Sequence, residues 1–467
     1  MALMNISVIK KATFCCSLLV FISSSSFSET FIISSAGEFQ HVQVDAKPND
    51  SIVWKKGNYF NQNLILTADN VVFVAEDAGE TIFTGSSSLK IEGDANVISG
   101  FQFIKGKIKG DVVDISGSNN TVKHINIQSY DSHYFLRVRP NCQYNKIMNC
   151  NFESKPETQE SSVVQIEATE KLPGYHIISH CSFKNHTAPL GVGGDFGIEA
   201  LRIGYSYQRT FISRTIVEYC YFEKCNGDYE VISNKACENV LRYNTFVDNG
   251  PAHLTLRHGS RAMVYGNFFM NGAGIRIKEG QNHSVVNNYF DTGDQFSIHI
   301  QNHHFDPVDT VKVVNNTFIG RGQLRLGGQG DYPPKNVLIV NSLFSGKFDS
   351  LISDATGNER WNQNVIKTHQ ATVEKDGFLV VSYDLQENEY GFSEPVFQHE
   401  SLKKYKSNTP AVTDIIDLDD DFLIELDIMK QERSKMGNDM PGCYVPSMDM
   451  RLKWYATSKN TGPAYLD

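Results

Sequence analysis

A small or polar residue followed two positions later by Phe recurs along this chain: Asn244-Thr245-Phe246, Asn267-Phe268-Phe269, Asn288-Tyr289-Phe290 and Asn316-Thr317-Phe318, loosening at Ser342-Leu343-Phe344. From Phe222 onward the Phe spacings are 24, 23, 21, 28 and 26 residues. Upstream, Cys150, Cys181 and Cys220 take the small position before Phe152, Phe183 and Phe222, and Phe103 extends the register. Self-similarity at roughly 20–30 residues is the mark of a solenoid. The units are rich in β-branched and aromatic residues, alternate over short stretches and break at Asn and Gly, with almost no helical periodicity. A leucine-rich repeat would need a recurring Leu pattern, and a propeller blade needs about 40–50 residues. The spacing predicts an all-β chain: a right-handed parallel β-helix over 29–350, with an irregular C-terminal continuation, 351–467, packed on it.

In such a coil Asn244, Asn267, Asn288 and Asn316 form a ladder, their amides bonding from rung to rung. The cysteines in the same register read as small buried thiols stacked in neighbouring repeats. Disulfides and metal ligands are the alternatives, because export is predicted and export permits disulfides. Lys10 and Lys11 precede an apolar run, Ala12 to Ile22, and then small residues ending Ser26-Phe27-Ser28. This reads as a secretory signal over 1–28, cleaved near Ser28, and so as a secreted or periplasmic protein. The apolar run is too short to span a membrane, no later stretch reaches about 18 apolar residues, and no membrane partner is expected.

The net charge is −10, and losing the two lysines of residues 1–28 takes it to −12. Bulk attraction to nucleic acid is therefore excluded. Yet short alternating strands repeatedly carry a cation: Leu136-Arg137-Val138, Leu201-Arg202-Ile203, Leu254-Thr255-Leu256-Arg257, Ile275-Arg276-Ile277-Lys278 and Leu324-Arg325-Leu326. Period-two alternation turns their apolar residues inward and their polar ones outward. Coils stack about 4.8 Å apart, so Arg137, Arg202, Arg257, Arg276, Lys278 and Arg325 align as a basic stripe with His258 and His299 beside it. A solvated face is the plain reading of surface charge. Recurrence of Arg in one column of an acidic protein predicts instead a groove for a linear polyanion. Nucleic acid is disfavoured again, since no aromatic residues interleave with the arginines.

One local string is denser than the rest: Asn226-Gly227-Asp228-Tyr229-Glu230-Val231-Ile232-Ser233-Asn234-Lys235. Asp228 and Glu230, two apart on a predicted strand, face the same side. Adjacent carboxylates repel unless a cation separates them, and such an oxygen pair suits Ca²⁺. Arg257 follows Lys235 by 22 residues, about one coil, which puts the two on neighbouring rungs. A surface ion-pair network is the competing reading. Thr413 to Asp427 holds seven acids and no base and reads as an acidic surface extension. His303 and His304, near Asp306, read as loop residues at the groove edge rather than a metal site.

Asp228 through Lys235, with Glu238-Asn239, Leu256-Arg257-His258-Gly259 and Gly274-Ile275-Arg276-Ile277, resembles polysaccharide lyase family 6, the alginate lyase and chondroitinase B group. The likeness runs from Ile33-Ser34-Ser35-Ala36 to Gly462-Pro463-Ala464-Tyr465-Leu466 and is most specific over 199–280. It implies a parallel β-helix enzyme in which Lys235 is the base and Arg257 the acid. It also implies a Ca²⁺, held by an Asn and two acids, that binds the substrate carboxylate; the acids fall on Asp228 and Glu230. The family pattern N-G-G-E-T-I-R-I-G meets Phe196 where the Asn belongs, with Asp195 one residue out of register. A weaker site is expected, its Ca²⁺ recruited jointly with the substrate; neutralisation by Arg202, Arg276 and His258 without metal is the rival.

The chemistry shows why such groups are wanted. Removing H5 of a uronate, alpha to its carboxylate, and expelling the 4-linked sugar cuts the polymer without water. Cations on the carboxylate stabilise the charge that develops, and the lysine must be neutral, below its usual pKa of about 10.4. The expected function is a β-eliminating lyase of an anionic polysaccharide, alginate first. A chondroitin or dermatan sulfate lyase, and a non-catalytic glycan-binding β-helix, are the alternatives. Arg276, His258, Arg202 and Arg325 are expected to hold substrate.

Overall fold

The computed structural model describes residues 28–466 apart from 157, 159, 193, 305–306, 321–322, 346–351, 355, 368–375, 388–391, 398–424, 434–439 and 445–454. The predicted signal thus lies outside the described residues, as do Asp306 and most of the acidic stretch. Three long parallel sheets of 14, 12 and 14 strands wind side by side. The first runs from Thr30–Ile33 to Glu359–Asn362, the 12-stranded one from Asn63–Leu66 to Ile352–Asp354, and the third from Gly57–Phe60 to Phe378–Val381. This is the expected parallel β-helix.

The repeat register is the coil's interior. Phe152, Phe183, Phe222, Phe246, Phe269, Phe290, Phe318 and Phe344 stack along the third sheet with ring centroids 4.6–5.1 Å apart. That spacing matches the rung separation of a sheet, about 4.8 Å, so one aromatic per coil satisfies packing and pairing together. The asparagine ladder forms as expected. Asn244 donates its amide to Asn267 (3.1 Å), Asn267 to Asn288 (3.0 Å) and Asn288 to Asn316 (3.1 Å). Cys220 sits one rung before Asn244 and donates its backbone N–H to that amide oxygen (2.9 Å). Cys150, Cys181 and Cys220 are free and buried, as are the other described cysteines.

From Gly100 onward, each turn from the first sheet into the third passes through one left-handed residue. Most L side chains avoid that conformation, and Asn tolerates it best; Asn287, Asn315 and Asn341 occupy it here. His180, Tyr219 and Tyr243 occupy it too, and their rings stack at 5.0 and 5.3 Å, which offsets part of the strain.

Both flanks of the solenoid are covered. Helix Ala36–Asp45 is capped by Ser35, which accepts from the Glu38 N–H, and inserts Phe39 against Trp54 and Phe73. After a hairpin of Tyr383–Glu387 with Ser393–Phe397, Ile428, Met429, Cys443 and Tyr444 pack on Phe268 and Tyr289. The chain then returns toward the first coils: Gly462 N–H donates to His180 O (2.8 Å) and Tyr465 Oη to His124 O (3.0 Å). Among the described residues no helix is long and apolar enough to cross a membrane.

Candidate active site

The 12-stranded sheet sorts the expected stripe into two columns. Register aligns Arg137, Arg202, Ser233, Thr255, Arg276, His299 and Arg325 along the first. Two residues further along their strands, Lys235, Arg257 and Lys278 follow one another on consecutive rungs, because Asn234, Leu256 and Ile277 are paired. Arg257 and Arg276 therefore belong to different columns, one on each side of the inward-facing Leu256 and Ile277 positions.

Nor is the stripe uniformly basic. Arg137 pairs with Glu167, and Arg139 binds Asp114 at 2.8 Å. Arg202 donates to Gln165 (2.6 Å) and to Tyr134 Oη (3.1 Å), with Glu199 3.6 Å away. His299, expected beside the stripe, is 4% exposed, bonds the Gly327 carbonyl and is pushed down to about 4, chiefly by burial. Its imidazole is neutral. The acids come from coil corners and neighbouring rungs, which a one-strand pattern does not display.

Across the second column lies a cleft of about 450 Å³. Its wall carries the acids Glu160, Asp195, Glu199, Asp228 and Glu230 together with Lys235, Arg257, Arg276 and Lys278. Strand Asp195–Ile198 pairs antiparallel with Gly227–Asp228, which carries Phe196 and Asp195 to the rim beside Tyr229. Past the column, Gly280 at φ 95° makes the corner; a Cβ there would stand 1.8 Å from the Gly259 carbonyl, so only glycine fits.

Glu230 ties the acids of the cleft to its arginines. Its Oε1 accepts from Arg276 Nη2 (2.7 Å) and lies 3.4 Å from Arg257 Nη1, while Oε2 accepts from Ser233. With both arginines so engaged, the ammonium groups of Lys235 and Lys278 make no hydrogen bond or ion pair among the described residues. Burial, assisted by Arg202 and Arg257, holds Lys235 below the ordinary lysine value, against the opposing pull of Glu199 and Glu230. Burial outranks the like charges of the two arginines. Lys278 is pushed down to about 8 by burial, then by Arg257 and Arg276. Asp228 is pushed up to about 7 by burial, then by Glu199 and Glu230.

The carboxylates do not fit a resident Ca²⁺, which takes six to eight oxygens. Both Asp228 oxygens already accept backbone N–H groups, from Gly197 and Glu230 (each 3.0 Å), and both Glu230 oxygens are engaged. Phe196 offers no donor. Of the carboxylate oxygens lining the cleft, only Glu199 Oε2 is buried without a hydrogen-bond partner among the described residues. Among the described residues no group of three or more His, Cys, Asp or Glu is arranged to hold a metal ion.

Of the residues singled out from the sequence, Lys235, Arg257, Arg276, Asp228 and Glu230 converge on the cleft. Arg202 stands on its flank, anchored to Gln165 and Tyr134. Arg325 lies two rungs past Arg276, its guanidinium 5.5 Å from the Phe296 ring centre. His258 turns aside to Glu279 (2.5 Å), which also holds Arg209 and approaches His303. Sequence reasoning passed over Glu199 and gave Lys278 no role beyond the stripe. The register signal existed for Lys278, which follows Ile277 as Arg257 follows Leu256.

The family described as chondroitinase B matches residues 33–430. No curated protein matches the chain. Among solved structures, the PL6 family alginate lyase AlyGC superposes with a TM-score of 0.70 at 22% identity, over 78% of this chain and 55% of that one. The chain therefore spans about 55% of the length of that relative. A mannuronic acid specific polysaccharide family 6 lyase from human gut microbiota gives 0.66 at 24% identity, over 76% and 91% of the chains. The PL6 polysaccharide lyase Pedsa3628 from Pseudopedobacter saltans gives 0.63 at 18%, over 93% and 99%. At these identities the likeness carries the fold.

Proposed function

Because this chain belongs to the chondroitinase B family of polysaccharide lyases, we propose that it is an exported enzyme that cleaves alginate by β-elimination. The observation that carries this is the column Lys235, Arg257 and Lys278 on consecutive rungs of one cleft, with a lysine held below its ordinary value beside paired arginines. The polymer lies along the coil axis, across the rungs. Arg276 and Arg257 meet the uronate carboxylate, so that charge developing there falls on fixed cations in a partly dehydrated cleft. Neutral Lys235 removes H5. The electron pair forms the C4=C5 double bond as the C4–O4 bond breaks, and Arg257 faces the charge on the departing oxygen. No step passes through a metal.

Alginate fits a wall with a cation on each of three consecutive rungs, Lys235, Arg257 and Lys278, since each of its sugars carries a carboxylate. Incubation with alginate should raise the ultraviolet absorbance of the new double bond. Turnover of dermatan or chondroitin sulfate alone would reassign the substrate, and binding without new absorbance would make the protein a glycan-binding β-helix.

A further inference from the structure

We propose that Tyr207 is the platform of a further sugar subsite, beside the cleft on the side of the first coils, and stacks on a pyranose ring of a long substrate chain; the assignment rests on the lyase reading above. One rung before Lys235 the column position is Gly204, because Ile203 is paired with Asn234. At φ 79° Gly204 takes the left-handed conformation that favours glycine. The floor beside Lys235 thus carries no side chain, and a polymer leaving the cleft along the coil axis crosses bare backbone there.

Residues 205–211 make the rim past Gly204. At one end Tyr205 Oη lies 2.9 Å from Tyr134 Oη, two rungs back. At the other, Arg209 reaches Glu279 (3.2 Å), three rungs ahead. Between them the short 3-10 helix Ser206–Gln208 presents Tyr207. Its ring lies flat on Tyr205, with centroids 5.6 Å apart and planes 9° from parallel. Its hydroxyl accepts from Gln208 Nε2 (3.2 Å), and the Gln208 amide is itself bound to the N–H and the carbonyl of Ala168. Tyr207 is nevertheless 70% exposed, whereas Gln208 is 2% exposed. A lone exposed aromatic is ordinary on a protein surface. One held at both its ring and its hydroxyl has lost its freedom before any partner arrives, which is how a binding surface lowers the cost of association.

The charges on that flank decide what the platform recognises. Arg137 is engaged by Glu167, Arg139 by Asp114, and Arg202 by Gln165 and Tyr134. Recognition of a carboxylate therefore belongs to the cleft. The C–H faces of a pyranose ring are apolar and leave water against an aromatic face, so the platform reads the ring of the sugar instead. The cleft lining stops short of both Tyr205 and Tyr207. Only a chain long enough to pass Gly204 reaches them.

The test compares wild type, Tyr207→Ala and Tyr207→Trp on long alginate and on the shortest oligomers that are cleaved, with thermal midpoints alongside. Tyr207→Ala should raise KM for long alginate about 3- to 10-fold, the scale of one aromatic contact, with kcat little changed. The rise should be confined to chains that extend past the cleft, and Tyr207→Trp should reverse it. An unchanged KM on long alginate, an equal rise on the shortest oligomers, or no rescue by Trp would each overturn the platform. Calorimetric titration of long alginate into Lys235→Ala, with and without Tyr207→Ala, reads the same contact without turnover. Its Kd should weaken about 3- to 10-fold, and equal affinities would overturn the platform. No unsaturated product from the wild type would overturn the lyase reading, while the titration still decides on Tyr207, so the two failures are distinguishable.

Discussion

Glu230 accepts a hydrogen bond from Arg276 across 2.7 Å, although 46 residues separate the two along the chain. The same carboxylate raises the pKa of Lys235 against the effect of burial. Glu230→Gln removes that opposing charge, so Lys235 should lose its proton at lower pH. The acid limb of the kcat/KM profile should therefore move to lower pH. A limb that stays in place or moves upward would refute the coupling.

Lys235→Ala and Arg257→Ala should each lower kcat by at least ~10². Because the two serve one elimination, the double variant should cost little more than the worse single. Steady-state kinetics on alginate decide it. Strictly multiplicative losses, or near wild-type turnover by Lys235→Ala, would reject the roles.

Chelation should leave the rate unchanged, since the Asp228 and Glu230 oxygens are engaged by backbone N–H groups, Ser233 and arginines. Added Ca²⁺ should not raise the thermal midpoint of the free enzyme, as a resident ion would by mass action. Activity lost to EDTA and restored by Ca²⁺ would show that substrate completes a shell the free protein lacks.

Asn288→Ala should destabilise the coil by about 1–3 kcal/mol, since it takes the side-chain acceptor from the Asn267 backbone N–H in a dry interior and breaks one rung of the ladder. Equilibrium denaturation gives the figure. A loss below about 0.5 kcal/mol, the scale of an ordinary surface substitution, would mean that the ladder orders the rungs without stabilising them.

Stability should fall as pH drops from about 6.5 toward 4. Burial pushes His176, His283 and His299 down to about 4, and His186 and His253 to about 3. The unfolded chain takes up these protons first, near pH 6.5, so each imidazole contributes a loss of up to about 1.4 kcal/mol per pH unit. Asp228 and Glu199, held above the usual carboxylate range, act in the opposite direction and offset part of it. Denaturation midpoints that stay level between pH 6.5 and 4.5 would contradict the balance.

The repeat was legible because a parallel coil makes each rung solve the same packing problem. Phe222, Phe246 and Phe269 must stack at the rung spacing, and Asn244 and Asn267 must find one another's amides. Local order therefore repeats in the sequence, and with it the neighbourhood of Lys235 and Arg257. The charge state of the cleft was not legible in the same way. Arg137 meets Glu167 across 30 residues, Arg276 meets Glu230 across 46, and Arg202 meets Tyr134 across 68. Such partners depend on how many residues each corner holds, which varies from coil to coil. A pattern within one strand specifies which way a side chain points. Only the stacked coils decide which opposite charge it meets there, and so which cations, Lys235 and Lys278, stay free for chemistry.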